Sequence, residues 1–342
     1  MSDATAALIR ADPIRADPIP AELIPVDLIP IDLIPIDLIP IDLIPIDLIP
    51  IDLRPQLRGL RIVARLPPAA GPLGQNASRH RGQGLEFSQY RAYEPGDEPR
   101  HIDWKLFARS DRYFVREAES EAGLAIWVVV DCSASMAQAD LATPSKDKLS
   151  VARTLAAATI DIALREGDRF GVLLLAAGQP TWVASARGPR HRDRCVLALK
   201  HAQAQGEWPA LTSLQRAWER IEPAAVVVLI SDGFDSRSSE FGLQLAATRR
   251  DVRSIALTAV DERDFGFRGA FVFEDPETGA RMAADGAAAG ADFRQRFAAA
   301  RLQLAERLAT GGVRHVEHAL DQSLAMTLAQ ALGAERAARR FR

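Results

Sequence analysis

The sequence predicts an α/β fold in which helices cover both faces of a doubly wound, mostly parallel sheet. Apolar runs of strand length, such as residues 225–230, alternate along the chain with longer segments of helical periodicity. These runs are apolar at nearly every position, as strands are when both faces of a parallel sheet are covered. We expect an irregular N-terminal subdomain and a repeat arm to precede this fold.

Residues 1–55 are predicted to form a disordered or extended arm. Residues 11–55 contain nine pentapeptides in one register, four of them identical Ile-Asp-Leu-Ile-Pro units. A proline at every fifth position from Pro20 prevents a continuous helix and cannot donate to a sheet, while the recurring acids exclude a membrane span. The arm has 10 acidic and 3 basic residues. It is interpreted either as a docking or self-association segment or as a neutral expansion of a short DNA repeat.

Residues 56–122 are predicted to form a lead-in subdomain that wraps the core. The segment is rich in arginine, glycine, aromatic and acidic residues, and its periodicity is poor. A turn at residues 94–97 and a short strand at residues 113–117 are its clearest elements. Its candidate structural or partner-contacting residues are Glu86, Arg91, Asp97, Arg100, Asp103, Trp104 and Arg109. The charged ones form either a catalytic or partner-contacting patch or an ion-pair network that braces the segment.

Residues 123–262 are predicted to be the α/β core. The predicted strands cover residues 124–130, 169–176, 181–185, 225–230 and 253–259, and the predicted helices residues 148–165, 192–203, 213–221 and 240–250. Residues 263–342 are predicted to complete the domain. They contain a hairpin at 270–281, a helix whose apolar face includes Phe293 and Leu308, a last strand at 313–318 and a last helix at 324–339.

Oxygen-bearing side chains follow two of the buried strands. Asp131, Ser133 and Ser135 come directly after the first core strand, and Asp232 follows strand 225–230. Because ligands of open parallel sheets bind outside the carboxyl ends of the strands, we expect these side chains to converge there. Thr212, just before a helix, can supply a third hydroxyl.

Two carboxylates and three hydroxyls suit a hard cation in octahedral coordination. The residues predicted to bind one Mg²⁺ are Asp131, Ser133, Ser135, Thr212 and Asp232, with Mn²⁺ or Ca²⁺ as other candidate ions. In the alternative interpretation the residues after the first strand only cap the following helix.

Residues 58–342 resemble the bacterial DUF58 family (domain of unknown function 58). The resemblance is carried by Glu86-Phe-Ser-Gln-Tyr-Arg-Ala-Tyr93 and by Gly96-Asp-Glu-Pro-Arg-His-Ile-Asp-Trp104 in the lead-in, followed by the core. It implies a core of von Willebrand factor A (Rossmann-like) type and a metal-ion-dependent adhesion site (MIDAS) at the five residues above. Members of this family are typically found alongside MoxR-type AAA+ ATPases, which implies such an ATPase as the partner.

The predicted function is therefore a metal-ion-dependent protein-protein interaction module, and not an enzyme. An acidic side chain of a partner would complete the metal's coordination, and the module would be an adaptor for a MoxR-type AAA+ ATPase in chaperone-like assembly or activation of a protein complex. The alternatives are a magnesium-dependent phosphohydrolase and a structural scaffold with a non-functional metal site. Phosphatases that use an aspartate nucleophile have a second aspartate two residues later, where this chain has Ser133, and no clearly placed lysine follows.

The charge, cysteine content and apolar runs of the sequence predict its cellular location and the kind of partner it binds. The net charge of -3 over 342 residues does not indicate a nucleic-acid partner. Cys132 and Cys195 provide no disulfide framework, which is typical of a reducing compartment. No signal peptide and no apolar run of membrane length is recognised, so we expect a cytoplasmic protein without a membrane span.

Overall fold

The computed structural model describes residues 47–66, 87–93, 102–118, 123–176 and 180–333. They form two compact units: Pro68–Gly123 is one, and the chain before and after it is the other. The strands of the described residues are β1 (Phe87–Ala92), β2 (Phe114–Ala118), β3 (Ala125–Asp131), β4 (Ala139–Asp140), β5 (Thr143–Asp147), β6 (Arg169–Leu175), β7 (Thr181–Ala186), β8 (Val226–Ser231), β9 (Asp251–Thr258), β10 (Ala270–Glu274), β11 (Arg281–Asp285) and β12 (Arg314–Ala319). The helices are α1 (Arg54–Leu57), α2 (Trp104–Ser110), α3 (Lys148–Glu166), α4 (Pro189–His201), α5 (Gln215–Arg220), α6 (Ser236–Ala247), α7 (Val260–Asp264), α8 (Gly286–Thr310) and α9 (Leu324–Leu332).

The larger unit is built on a six-stranded sheet in the order β7-β6-β3-β8-β9-β12. Numbered along the chain within the sheet, this order is 3-2-1-4-5-6, the doubly wound arrangement of dinucleotide-binding folds. Each neighbouring pair is parallel except β6 and β7, which are antiparallel. The predicted fold class is confirmed. The strand order reverses between β3 and β8, so this is the switch point of the sheet.

Both faces of the sheet are covered. Along β3, Ile126, Val128 and Val130 face a core that includes residues of α3, α4 and α9. Trp127 and Val129 face a second core that includes residues of α5 and α6. Successive side chains of a strand point to opposite faces, so an uninterrupted apolar strand serves both cores.

Helix boundaries follow local capping signals. The Asp147 side chain accepts a hydrogen bond from the Ser150 backbone N–H at the start of α3, and Gly167 ends the helix with φ 75°. Helix α6 begins four residues earlier than predicted because Asp235 caps it. Helix α4 also begins earlier than predicted, with Pro189 in its first turn, where the missing N–H costs nothing. The predicted helix 213–221 begins as a 3-10 helix at residues 211–214.

The core also includes residues that the sequence assigned to the arm and the lead-in, on both sides of the predicted boundary between residues 55 and 56. Leu53, Leu57, Leu60 and Ile62 are all buried in the same apolar core as α3. Arg65 extends the contact, because its guanidinium bonds the carboxylate of Asp251 at 2.8 Å. The last pentapeptides and the start of the lead-in are therefore part of the larger unit. Residues 1–46 of the predicted arm lie outside the described residues.

The smaller unit contains an antiparallel pair and one helix. Strands β1 and β2 pair from Phe87↔Ala118 to Ala92↔Phe114. Helix α2 is capped by Asp103, whose side chain accepts from the backbone N–H groups of Lys105 and Leu106. The strand predicted at residues 113–117 is thus present as β2.

Candidate functional site

Two aspartates lie on either side of the switch point. Asp131 is the last residue of β3, and Asp232 follows β8, the neighbouring strand. Both side chains are nearly fully buried, with 1% and 2% of their residue surfaces exposed. The predicted convergence of the two carboxylates follows directly from the strand order, because adjacent parallel strands end at the same edge.

The carboxylate of Asp131 is held by two donors. Its Oδ1 accepts from the Ser133 backbone N–H at 2.8 Å, and its Oδ2 accepts from the Ser231 hydroxyl at 2.6 Å. Burial, followed by the negative charge of Asp232, raises the pKa of Asp131 to about 7, although these hydrogen bonds lower it. The charged form of Asp131 therefore lacks a compensating positive charge.

The two predicted serine ligands lie together. The Oγ atoms of Ser133 and Ser135 are 3.0 Å apart, and both residues are buried. Ser133 directly precedes a short 3-10 helix, residues 134–137, in which Ser135 and Met136 are buried. The structure thus brings four of the five predicted ligands, all except Thr212, to one edge of the sheet.

Thr212 stands apart from these four. It lies in the 3-10 helix at residues 211–214, and its side chain is exposed. None of the described hydrogen bonds joins it to the aspartates or serines. Its role as a ligand remains a prediction.

A buried lysine that the sequence analysis did not identify lies beside Asp232. The Lys148 ammonium is 3.3 Å from Asp232 Oδ2 and 2.5 Å from Glu262 Oε1, and its side chain is fully buried. Burial alone lowers the pKa of Lys148, but the carboxylates of Glu262 and Asp232 raise it above its ordinary value. Lys148 therefore stays positively charged. Lys148 is the first residue of α3 and follows the capping Asp147. Nothing in this sequence context predicts that it forms a buried ion pair.

The charges of this buried cluster fit a divalent cation. The ammonium of Lys148 pairs with the carboxylates of Asp232 and Glu262, and no described ion pair includes the carboxylate of Asp131. A buried carboxylate without a positive partner is charged only when a cation such as a metal ion is close, and otherwise it takes up a proton, as the raised pKa of Asp131 favours. Carboxylates and hydroxyls are the ligands that Mg²⁺ prefers. Among the described residues no group of three or more His, Cys, Asp or Glu side chains is arranged to hold a metal, so an ion here would depend on the serine hydroxyls.

Other polar residues near the cluster were likewise not predicted as site residues. The Ser231 hydroxyl orients Asp131, and burial, together with the negative charge of Asp232 and other acidic groups, raises the pKa of Glu277 to about 7. Arg301 donates to the Asp232 backbone carbonyl at 2.5 Å and to Glu317 at 3.0 Å. These residues come from distant helices, strands and loops, and only the folded chain brings them together.

The candidate residues of the lead-in are only partly described. Glu86, Asp97 and Arg100 lie outside the described residues, as does the side chain of Arg91. Asp103 is the cap of α2, and Arg109 is exposed on that helix. Trp104 is 58% exposed and makes edge-to-face contacts with Phe107 and Tyr113. Asp103 therefore has a clear structural role.

Fold and site together define a doubly wound α/β domain with an acidic, hydroxyl-containing cluster at its switch point. Comparison with known proteins gives the particular family. The chain belongs to the family described as "Protein of unknown function DUF58", whose model matches residues 89–307. The resemblance inferred from the lead-in motifs is confirmed.

The similar curated proteins are mycobacterial. An uncharacterized protein of Mycobacterium tuberculosis is 31% identical over 205 residues, which are 58% of this chain and 62% of that protein. An uncharacterized protein of Mycobacterium bovis matches with the same figures. The chain thus spans less than two thirds of the length of these relatives.

The solved structures similar to this chain include one that is described as a VWA domain. BatB from Bacteroides thetaiotaomicron is 14% identical, with 64% of this chain and 100% of that chain covered and a TM-score of 0.41. The SpRpn10 VWA domain is 11% identical, with 60% and 93% covered and a TM-score of 0.35. An aerotolerance-related membrane protein from Bacteroides fragilis is 14% identical, with 62% and 100% covered and a TM-score of 0.42.

The prediction of a cytoplasmic protein is corrected by these comparisons. The Bacteroides fragilis protein is described as a membrane protein, so the low cysteine content and the lack of a recognised signal peptide were not sufficient grounds for that location. Within the part of the chain that the structure describes, no helix combines the length and apolarity needed to cross a membrane.

Proposed function

We propose that this protein is a metal-ion-dependent protein-protein interaction module that binds one Mg²⁺ at the switch point of its sheet. The observation that supports the proposal is the buried cluster in which Asp131 and Asp232 lie beside two serine hydroxyls with more negative than positive charge. The residues that would hold the ion are Asp131, Ser133, Ser135 and Asp232, with Thr212 as the fifth predicted ligand.

The bound ion would supply a positive charge that an acidic side chain of a partner can approach. Without it, the local charge is negative and would repel such a side chain. Metal binding and partner binding would therefore be linked, and removal of the metal would weaken the complex.

The environment of Asp131 argues against the phosphohydrolase alternative. Phosphatases that use an aspartate nucleophile have a second aspartate two residues later, which acts as the general acid. In this chain that position beside Asp131 is Ser133, whose hydroxyl lies 3.0 Å from that of Ser135 and cannot replace a carboxylic acid. We propose a binding protein, not an enzyme.

The proposed partner is a MoxR-type AAA+ ATPase, with this protein as its adaptor in the assembly or activation of another complex. The support for this partner is membership of the DUF58 family. A pull-down of a MoxR-type AAA+ ATPase from the same organism, in Mg²⁺ or in EDTA, tests the assignment. We expect capture in Mg²⁺ that is lost in EDTA and in an Asp232→Ala variant, and capture that persists in EDTA would contradict the metal-dependent contact.

The metal site itself is tested by calorimetric titration of the full chain with Mg²⁺. We expect Ser133→Ala to weaken Mg²⁺ binding at least about tenfold, because it removes one hydroxyl ligand. Ser239→Ala is the matched control, since Ser239 is also buried but bonds only the backbone carbonyl of Ser236 in its own helix. Equal Mg²⁺ affinity in both variants would remove Ser133 from the site, and no heat of binding in the unsubstituted chain would overturn the proposal.

A further inference from the structure

The last of four identical pentapeptides packs into the core of the larger unit. Residues 31–50 repeat Ile-Asp-Leu-Ile-Pro four times, and the structure describes the fourth copy from Asp47 to Pro50. Ile49 is only 6% exposed and belongs to the same apolar cluster as residues of α3 and α4, and Leu48 packs against that cluster. The core of the protein therefore already binds one unit of the repeat.

The aspartate of this unit meets a positive charge. Asp47 pairs with Arg192 of α4 at 3.7 Å, and it also pairs with Arg54 of the next pentapeptide. The Asp47 carboxylate accepts the Ile49 backbone N–H at 2.9 Å, so the unit forms a turn of its own. We call the part of the core around Ile49, together with Arg192, the pentapeptide seat. It binds the unit through one isoleucine and one carboxylate.

Each of the three preceding pentapeptides has the side chains that make these contacts. Residues 31–45 consist of three units identical in sequence to the one in the seat. When two copies of a chain exchange identical elements, each lost contact is replaced by the same contact, so the exchange costs little beyond the entropy of association. A unit further from the core also reaches further, because five more residues extend the connection by up to about 17 Å. Lengthening a flexible connection in this way costs little.

The charges around the seat favour the acidic arm of another copy as its ligand. Arg187, Arg190 and Arg194 lie at or just before the start of α4, are exposed, and form no ion pair with another described residue. Residues 1–46 contain 8 acidic and 2 basic residues, and every pentapeptide of the repeat carries one acid. Opposite charges on two surfaces speed their encounter and select the partner. An acidic segment that also carries isoleucine therefore fits both the seat and its surroundings.

We propose that the pentapeptide seat binds an arm pentapeptide of a second copy of this chain, so that the protein associates with itself by exchanging arms. The ligand is one of the three identical units in residues 31–45, and it displaces the unit that ends at Pro50. The arm is then a self-association segment, and no metal takes part in the exchange.

The test is the association of two variants of the full chain with complementary charges, followed by sedimentation velocity. In the seat variant, Arg192→Glu reverses the charge of the seat. In the arm variant, Asp32→Arg, Asp37→Arg and Asp42→Arg reverse the charges of the three exchanging units, while Asp47 is retained. Within either variant alone, like charges meet wherever the arm of one copy reaches the seat of another. We therefore expect each variant alone to sediment as a monomer.

The mixture of the two variants restores opposite charges in both directions. The arginines of the arm variant meet Glu at the seat of the other chain, and the aspartates of the seat variant meet the retained Arg192. We expect 1:1 complexes that form at least about tenfold more tightly than either variant associates with itself, because like charges across an interface weaken binding strongly. Raised salt should weaken these complexes. A complex in the mixture also shows that the seat variant is folded.

Arg216→Glu is the matched control for the seat variant. Arg216 is exposed on α5, a helix that contributes to the core on the other face of the sheet. We expect this control to associate as its concentration rises, as the unsubstituted chain does. An unsubstituted chain that stays monomeric at every concentration would confine the units to their own chain and overturn the exchange. A mixture of monomers, or an equal loss of association in Arg216→Glu, would overturn it as well.

Discussion

Lys148 illustrates how a buried charge depends on its partners. Its ammonium has no exposed surface and contacts the carboxylates of Asp232 and Glu262, while the ring of Phe234 lies 4.8 Å away. Burying charges is costly, and the pair is tolerated because each charge has an opposite neighbour. Removal of one partner therefore costs more than the net contribution of the pair.

We expect Lys148→Met to reduce the free energy of unfolding by about 3–5 kcal/mol, since it leaves Glu262 and Asp232 buried without a counter-charge. Urea denaturation measures the loss. Lys200→Met, on the exposed side of α4, is the control and should stay within about 0.5 kcal/mol. Adding Glu262→Gln to Lys148→Met should recover part of the loss, and a double variant less stable than the single one would contradict the ion-pair explanation.

His318 is a second buried polar residue, and its burial affects how the stability of the protein depends on pH. It lies in β12, is fully buried, and its Nδ1 is 2.7 Å from the Thr327 hydroxyl. Among the described residues its Nε2 has no hydrogen-bond partner. Burial, with a contribution from the charge of Lys146, lowers the pKa of His318 to about 4. The folded state therefore favours the neutral ring.

This lowered pKa makes stability depend on pH. Between about pH 6.5 and pH 4 the unfolded chain binds a proton at His318 that the folded chain does not, so the free energy of unfolding falls as the pH falls through this window, by up to about 3 kcal/mol. Urea denaturation across this range should show a smaller decrease in His318→Gln. His201→Gln, at an exposed position, should retain the full dependence. The same slope in all three proteins would exclude His318 as its source.

At the scale of elements, the segment at residues 47–66 joins a repetitive sequence to the core. Helix α1 has only four residues, yet Leu53 at its N-cap and Leu57 at its last position are 4% and 2% exposed. Arg165 of α3 donates to the backbone carbonyls of Leu57 and Arg58, which satisfies groups that so short a helix leaves free. Tertiary contacts stabilise this segment more than its own helical turn does.

We expect Leu57→Ala to destabilise the protein by about 2–5 kcal/mol, because it leaves a cavity beside α3. The midpoint of urea denaturation measures this change. Ile51 is in the same segment but is 85% exposed, so Ile51→Ala should change stability by less than about 0.5 kcal/mol. Similar small effects in both variants would mean that the segment does not pack on the core in solution.

At the scale of the whole molecule, the proposed metal would link distant parts of the chain. Asp131 ends β3 and Asp232 follows β8, so the two residues come together only when these strands are paired. An ion that binds this arrangement and not the unfolded chain stabilises the folded state, by about 2.7 kcal/mol at a concentration of 100 times its Kd.

We therefore expect the Tm of the full chain to rise with Mg²⁺ concentration relative to EDTA at equal ionic strength, as measured by calorimetry. The rise should be smaller in Ser133→Ala, which retains the fold but lacks one hydroxyl. A Tm that is independent of Mg²⁺ in the unsubstituted chain would count against a folded-state metal site.

The sequence by itself determined the fold class and the place where the two aspartates would meet. Uninterrupted apolar strands such as β8 predicted a covered parallel sheet, and strands that end in Asp131 or just before Asp232 predicted carboxylates at one edge. These features could be predicted because each depends on local periodicity or on a short motif next to a strand.

Only the tertiary structure decided what surrounds those aspartates and where the core begins. Lys148, Glu262 and Glu277 come from three separate segments, and no spacing in the sequence relates them to each other. The prolines of the repeat predicted an extended arm up to residue 55. Leu53, at the end of this repeat, and Leu57, just after it, are nevertheless buried, because α3 provides an apolar surface for them. Contacts between residues far apart in the chain leave no periodic signal, and they exist only once the sheet has brought their elements together.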